Sequence, residues 1–507
     1  MMFPEDFKAK HNIDVYTQTE VLKINRAEKT ITVKDLKNGE TRNEAYDKLV
    51  LATGTEPVMP GSIEGIHSPH VFTIRNVVDI ERLQAKLDEE STKNIAVVGG
   101  GFIGVEVAEN LRKIGKEVTL IEGTKQILAP YDYDMVQILH KELDDNGITL
   151  HVSATVTAIE SKQVKAVKDG KEFTVAADAV VMAVGARPKT ELAKDAGLEI
   201  GTTGGIWVDH NYRTSDADIY AVGDAIESYN MLAHAPGRIA LAGPAQRQAR
   251  AAADHICGMY NTNKGYIGSS CIKVFGQNAA CTGLNEKEAK RLGYSYDSVM
   301  IFPMDKVGLM PGANYMVFKL VFEVPTGRIL GAQAIGTGEC DKRVDVIAAM
   351  ITMGGTLEDL KELELCYAPP FSTAKDVVNL AALVALNVLN GRIKQVHVDK
   401  VRELVEQGAY IIDVRGAGEL KAGHLKGVHH IPLNELRDRL DEIPRDIPVY
   451  LHCRSSQRSY YAACTLIENG FTNVYNISGS FLGISLYEYF NDKTQGREPI
   501  VTQYNFE

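Results

Sequence analysis

Two clusters of residues in this chain have the types and spacing to do chemistry. The first is Gly99-Gly100-Gly101-Phe102-Ile103-Gly104, which follows the apolar run Ile95-Ala96-Val97-Val98 and opens the amphipathic stretch Val105-Glu106-Val107-Ala108-Glu109-Asn110-Leu111. A strand, a Gly-x-Gly-x-x-Gly turn and a helix in that order make a dinucleotide cradle. Gly99 allows the tight turn, Gly101 lets backbone approach a pyrophosphate, and Gly104 permits close packing of helix on strand. Phe102 and Ile103 begin a helix whose N-terminal N–H groups and partial positive charge face the phosphates. Glu122 ends the next strand about twenty residues on, placed to accept ribose hydroxyls and repel a 2′-phosphate. The expected dinucleotide is NADH, with Lys125 close enough to admit NADPH.

The second cluster is Val449-Tyr450-Leu451-His452-Cys453-Arg454-Ser455-Ser456-Gln457-Arg458-Ser459. Its pattern puts Cys453 where a buried strand gives way to a helix. There the loop N–H groups, the helix dipole, Arg454 and Arg458 together favour the thiolate. A thiolate in such a cradle can attack a sulfane sulfur and carry it as a persulfide. With Ile411-Ile412-Asp413-Val414-Arg415, Glu419, Ala422-Gly423-His424-Leu425-Lys426-Gly427 and Ile431-Pro432-Leu433, this stretch resembles a rhodanese domain almost end to end. A cysteine phosphatase loop is the rival, but it places its arginine one position further on. Here position six after the cysteine is Ser459, so sulfur transfer fits better. Ser456 stands where the resembling loops carry glycine.

The whole-chain properties narrow the class. Hydrophobic residues make up 45% and charged residues 24% of 507, enough apolar matter for cores and far from a disordered composition. That length calls for two to four domains. A net charge of −11 argues against a nucleic-acid partner. The longest apolar stretch, Val377–Leu389, contains Asn379 and Asn387 and falls short of the ~20 residues of a membrane span. The first ten residues have no apolar core, so no secretory signal is read and the expected compartment is the cytoplasm. The seven cysteines show no CxxC pair and no metal-ligand cadence, which predicts reduced thiols and no metal site. Apart from Cys453, each reads as a small buried hydrophobe.

The positioning elements follow from periodicity. Short strands over 14–16, 20–25, 30–34 and 48–51 form a meander leading into the turn Ala52-Thr53-Gly54, whose small residues let backbone come close to a ligand. Residues 94–185 alternate strand and helix as a βαβ unit with an inserted meander. Strands at 206–208 and 218–222 follow, the latter ending at Gly223-Asp224-Ala225, and then a helix over 240–257. Residues 265–390 mix strands and helices, and a turn at 390–393 joins them to a separate module over about 397–490.

At this point a second resemblance becomes specific. Leu51-Ala52-Thr53-Gly54, the Gly99 fingerprint, Ala183-Val184-Gly185-Ala186-Arg187-Pro188 and Ile219-Tyr220-Ala221-Val222-Gly223-Asp224-Ala225 occur in the order seen in FAD-dependent pyridine nucleotide-disulfide oxidoreductases. The similarity implies that Ala52, Thr53 and Gly54 approach FAD, that Asp224 contacts the ribityl chain beside Gly223 and Ala225, and that Gly185 borders NAD. Glu339-Cys340-Asp341-Lys342-Arg343 and Tyr367-Ala368-Pro369-Pro370-Phe371-Ser372-Thr373-Ala374-Lys375-Asp376 resemble the dimerisation domain of coenzyme A-disulfide reductases and related NADH oxidases. In those enzymes the residue matching Tyr367 reaches the partner subunit's flavin, and the residue matching Lys375 helps hold coenzyme A. Gln246 stands where some members have a substrate-contacting histidine, and a tyrosine-rich loop near Pro311-Gly312-Ala313 is reduced to Tyr315, which leaves the coenzyme A substrate open.

The resemblance implies an α/β flavoprotein with two dinucleotide-binding domains, an α+β dimerisation domain and a rhodanese-like domain. The expected limits are a partial FAD-binding domain over 1–92, an NAD(P)-binding domain over 93–207, a second FAD part over 208–263, a dimerisation domain over 264–391, a rhodanese domain over 392–490 and a tail over 491–507. Such enzymes carry an FAD fingerprint and a redox cysteine near the start; nothing before Gly99 resembles the former and no cysteine precedes Cys257, so a missing N-terminal segment is expected. The implied activity is an FAD- and NAD(P)H-dependent reductase of coenzyme A disulfide, persulfide or polysulfide sulfur, working as a homodimer with Cys453 as sulfur carrier. Two alternatives stand beside it: an NADH oxidase reducing oxygen through FAD, and a redox-inactive chain retaining only sulfurtransferase activity.

Overall fold

The computed structural model describes residues 3–506, which divide by their contacts into two compact units. One takes the chain up to Val58 together with Ala186–Tyr266; the other takes Met59–Gly185 and everything from Ile267 onward.

The first unit holds an antiparallel sheet of Thr19–Asn25, Thr30–Asp35 and Thr41–Ala45. Beside it, Leu49–Leu51 pairs in parallel with Ile219–Ala221, and Thr55–Pro57 pairs antiparallel with Ala186–Pro188. Leu51, Ile206, Ile219, Ala221 and Val222 share its core with Ala252 from the helix Ala242–Ile256. Residues 14–16, expected as a strand, join no sheet. The expected strand at 206–208 reduces to isolated bridges from Ile206 to Ile200 and Ile226.

In the second unit, Val71–Thr73, Ala179–Met182, Asn94–Val98, Glu117–Ile121 and Thr149–His151 lie side by side in that order as a wholly parallel sheet. Apart from Thr119 and residues at the strand ends, its residues are buried, as parallel strands covered on both faces require. The helices Phe102–Lys113 and Tyr133–Asp145 belong to this layer, and Ala154–Glu160, Gln163–Lys168 and Lys171–Ala176 form the inserted meander. By its contacts the chain joins the other unit at Ala186, where 186–188 pairs with 55–57 and Ile206 packs with Val222.

An antiparallel sheet follows, ordered Ser269–Val274, Gln277–Gly283, Ile329–Gly336, Met316–Glu323, Tyr296–Ile301, with the helices Cys340–Met353 and Val377–Leu389. The C-terminal module has a parallel sheet ordered Lys394–Val396, Val474–Ile477, Val449–His452, Tyr410–Asp413, His429–His430. Its last helix, Ser480–Gln495, packs along Tyr133–Asp145, with the Tyr133 hydroxyl donating to Asn491 Oδ1 at 2.8 Å and His140 against Phe490. The residues after 490 are part of this module and no loose tail: Ile500 and Val501 are buried in its core, and Val501 bridges to Leu425.

All seven cysteines are free thiols. Three are exposed, against the expectation of burial. Cys257 ends a helix, Cys271 lies on the outward face of the strand Ser269–Val274, and Cys366 sits in the loop before Tyr367.

Candidate functional site: a nucleotide cradle and a sulfur-bearing loop

The three fingerprint glycines meet three different surroundings. Gly99 has φ +108°, and a Cβ there would lie 2.4 Å from the Ala183 carbonyl oxygen. A Cβ on Gly104 would sit 1.9 Å from the carbonyl oxygen of Gly99. A side chain at Gly99 would push the turn off the backbone at Ala183, just past the strand Ala179–Met182, and one at Gly104 would push the helix Phe102–Lys113 off the Gly99 turn. At Gly101 a Cβ would meet no protein atom within 4 Å, so this glycine keeps space open for a ligand rather than for packing.

Gly101 caps the helix with no side-chain hydrogen bond, which leaves the first-turn N–H groups without a side-chain partner. Gly101, the residue that caps this helix, lines a cavity of ≈ 520 Å³ together with Gly99, Glu122, Thr124, Leu128 and Gly185, and Phe102 and Ile103 open the helix that follows. Glu122 is fixed at the cavity edge: Oε2 accepts the Gly100 N–H at 2.6 Å and Oε1 the Thr124 N–H at 2.7 Å. Each oxygen keeps a lone pair for a ribose hydroxyl. Space, orphan donors and a pinned carboxylate fit a dinucleotide.

In the first unit, parallel pairing of Leu49–Leu51 with Ile219–Ala221 brings the carboxyl ends of both strands to one edge. Ala52-Thr53-Gly54 leaves one strand and Gly223-Asp224-Ala225 the other, with Gly54 at φ +67° and Gly223 at φ +77°. The Thr53 hydroxyl donates to the Lys189 carbonyl at 2.7 Å, and the Gly223 N–H donates to Gln248 Oε1 at 2.7 Å. Two tight, small-residue turns at the carboxyl ends of neighbouring parallel strands fit the nucleotide part of a flavin.

Tyr367 and Lys375 are brought together on one cleft of ≈ 550 Å³, with Lys361, Cys366 and Asn379. Tyr367 is half exposed. The loop between them is anchored from below by Arg343, a residue the sequence pattern did not single out. Arg343 is buried, donates to the carbonyls of Asp305 and Phe371 at 3.1 and 3.2 Å, and pairs with Asp376.

Cys453 follows the strand Val449–His452 and is 1% exposed. The loop turns at Ser456, whose φ of +74° lies in the left-handed region that favours glycine, and the helix Gln457–Glu468 follows. The Ser459 hydroxyl lies 3.5 Å from Cys453 Sγ. The two loop arginines part company. Arg454 keeps a buried Nη2 that makes no hydrogen bond, whereas Arg458 is bound by Glu419 through both nitrogens, at 2.7 and 2.6 Å. That bidentate contact holds the Glu419 carboxyl below its usual range. Beneath the loop, Arg415 is fully buried on Asp413 at 2.7 Å and over the Phe481 ring. Burial pushes Asp413 up, but His452 and Arg415 outweigh it and hold the carboxyl low. Burial holds the neighbouring His452 imidazole below its ordinary value.

A family model described as pyridine nucleotide-disulphide oxidoreductase matches residues 4–249, and that family's dimerisation domain matches 269–377. Coenzyme A disulfide reductase of Staphylococcus epidermidis is 32% identical over 378 residues, which are 74% of this chain and 84% of that protein. The chain belongs to the pyridine nucleotide-disulphide oxidoreductases. This oxidoreductase carries in addition a rhodanese-like domain, matched over 397–486. Two solved structures share both parts. Reduced CoADR-RHD of Bacillus anthracis superposes with TM-score 0.91 at 42% identity, covering 96% of this chain and 87% of that one. A NAD-dependent persulfide reductase from A. fulgidus superposes with TM-score 0.89 at 37% identity, covering 94% and 87%. No helix among the described residues is long and apolar enough to cross a membrane.

Proposed function

We propose that the chain is an NAD(P)H-dependent flavoprotein reductase of coenzyme A disulfide, persulfide or polysulfide sulfur, with Cys453 as its rhodanese sulfur carrier. The observation that carries this reading is the presence, in one contact unit, of a glycine cradle open at Gly101 and a thiol at a strand-to-helix loop. The similarity to the coenzyme A disulfide reductase of S. epidermidis and the persulfide reductase of A. fulgidus supports the substrate class.

When bound, NADH supplies a hydride and FAD takes up the electron pair for delivery to sulfur. The chain's own residues bind and orient. The N–H groups at the start of Phe102–Lys113 and the helix macrodipole hold the pyrophosphate beside Gly101. Glu122 receives the ribose hydroxyls and favours NADH over NADPH by repelling a 2′-phosphate. Ala52, Thr53, Gly54, Gly223, Asp224 and Ala225 hold the flavin side. Tyr367 and Lys375 face substrate or the partner's flavin in a homodimer, and Arg343 keeps their loop in place. Cys453 attacks the outer sulfur of a sulfane donor, with Arg454 offering its unpaired nitrogen to the incoming anion. The working compartment is the cytoplasm, where seven free thiols persist.

The test uses the protein as its gene encodes it, supplied with FAD. NADH consumption, without oxygen, on addition of polysulfide or coenzyme A disulfide is the expected result. Failure of both acceptors, with NADH consumed only when oxygen is admitted, would overturn it in favour of an oxidase. Thiosulfate sulfurtransferase activity should be present and should vanish in Cys453→Ser.

A further inference from the structure

The loop that bears Cys453 is held from a second direction, by the first turn of the helix Ser480–Gln495. The N–H groups of Phe481 and Leu482 donate to the carbonyls of Cys453 and Arg454, each at 3.0 Å. Ser480 itself is fully buried and has φ +48°, a left-handed conformation that costs a non-glycine residue about 1–2 kcal/mol. Its neighbour Gly479 also has positive φ, so glycine would serve this turn at position 480 as well.

The hydroxyl explains why a serine is worth the strain. Ser480 Oγ accepts the Cys453 N–H at 3.1 Å. Its single proton has three acceptors within reach: the Ile477 carbonyl at 3.3 Å, Ser459 Oγ at 3.4 Å and Cys453 Sγ at 3.9 Å. Ser459 faces the same choice, between the Ser456 carbonyl at 3.2 Å and Cys453 Sγ at 3.5 Å. A neutral thiol is a weak acceptor, so both hydroxyls then favour the carbonyls. An anionic sulfur is a strong one, and rotation about a single C–O bond brings either proton onto it.

We propose that Ser480 is a positioning residue of the sulfur-carrier site: it fixes Cys453 through the main-chain N–H and, with Ser459, turns its hydroxyl onto the sulfur when Cys453 becomes anionic. The proposal rests on the sulfur-carrier reading of Cys453. In the step it serves, the Cys453 thiolate attacks the outer sulfur of thiosulfate. The new S–S bond forms as the old one breaks, and sulfite leaves with the electron pair. Cyanide then takes the outer sulfur as thiocyanate and returns the thiolate, so the cycle needs no external oxidant. The thiol proton goes to solvent beforehand, and the two hydroxyls hold the resulting charge without taking part in bond exchange.

Two substitutions separate the hydroxyl from the backbone. Ser480→Gly removes the hydroxyl and relieves the φ strain; Ser480→Ala removes the hydroxyl and keeps the strain. The pH profile of Cys453 alkylation by iodoacetamide, followed on the full chain by peptide mass spectrometry, needs no sulfur transfer. Both variants are expected to move that profile to higher pH and to slow alkylation on its acid limb about tenfold, the scale of one hydrogen bond to a charged group. Ser459→Ala combined with Ser480→Gly moves it further. A Ser480→Gly profile superimposed on that of the parent protein overturns the proposal, because the serine is then only a turn residue. A parent Cys453 that iodoacetamide fails to label at any pH overturns it as well. The underlying reading is tested apart, by whether Cys453→Ser abolishes thiosulfate sulfurtransferase activity.

Discussion

Glu419 clasps Arg458 through both guanidinium nitrogens, 39 residues away in sequence, and so commits the second arginine of the Cys453 loop to a carboxylate while Arg454 keeps a free nitrogen. The bidentate geometry fixes both the distance and the plane of the guanidinium. Glu419→Ala should release Arg458 and lower sulfurtransferase kcat/KM about tenfold. Both side chains are more than one-third exposed, so the loss of stability should stay below about 1 kcal/mol. Kinetics and a melting curve on the same sample check the two halves.

The glycines of the nucleotide cradle should separate under alanine substitution. Gly101→Ala adds a methyl group that meets no protein atom, so melting should be unchanged while NADH binding weakens tenfold or more. Gly104→Ala collides with backbone at 1.9 Å and should cost stability first, by roughly 1–3 kcal/mol of overpacking. Titration of NADH fluorescence alongside thermal melting distinguishes them; equal effects of the two substitutions would contradict the assigned roles.

Glu122→Gln keeps an acceptor for one N–H and removes the charge. The ratio of NADPH to NADH kcat/KM should rise about tenfold, corresponding to ~1.4 kcal/mol of relieved repulsion. A parent protein that already prefers NADPH would show that Glu122 does not select.

Lys319 is 1% exposed and holds Asp134 at 2.8 Å, Glu286 at 2.9 Å and Asp132 at 3.2 Å. Burial opposes its charge, yet the three carboxylates keep its ammonium well above the ordinary value. Lys319→Met strands three carboxylates without a counter-charge and should cost about 3–5 kcal/mol in urea unfolding at neutral pH. The cost should shrink in acid as those carboxyls take up protons.

His397, at the start of the rhodanese-like module, lies 3.6 Å from Asp297 on the antiparallel sheet. Burial lowers its imidazole, but Asp297 and then Glu286 outweigh that and leave it above its ordinary value, against the opposing charge of Lys319. A raised folded value means that the contact stabilises fully below pH of about 6.5 and is lost as pH rises through the folded value. Melting temperature should therefore fall across neutral pH by a step that His397→Gln abolishes. An unchanged step in that variant would assign it to another group.

The readable parts of the chain were those whose reasons are local. Phe102–Lys113 and Val377–Leu389 stand where their apolar periodicity puts them, because a helix satisfies its own backbone. Strands are less legible: 14–16 has the composition of one but joins no sheet, and a strand exists only by pairing. The exposed Cys257, Cys271 and Cys366 show the same limit, since burial of a small thiol depends on what lies opposite it.

By itself the sequence determined the chemistry on offer. Gly99, Gly101 and Gly104 stand within six residues of one strand-to-helix turn, and Cys453 within one strand-to-helix loop. The tertiary structure alone decided which charges and hydroxyls those groups meet. Arg458 is committed to Glu419, Ser480 reaches Cys453 across 27 residues, and Lys319 finds Asp134 across 185. Such contacts depend on distances between residues far apart in the chain, and no local periodicity encodes them.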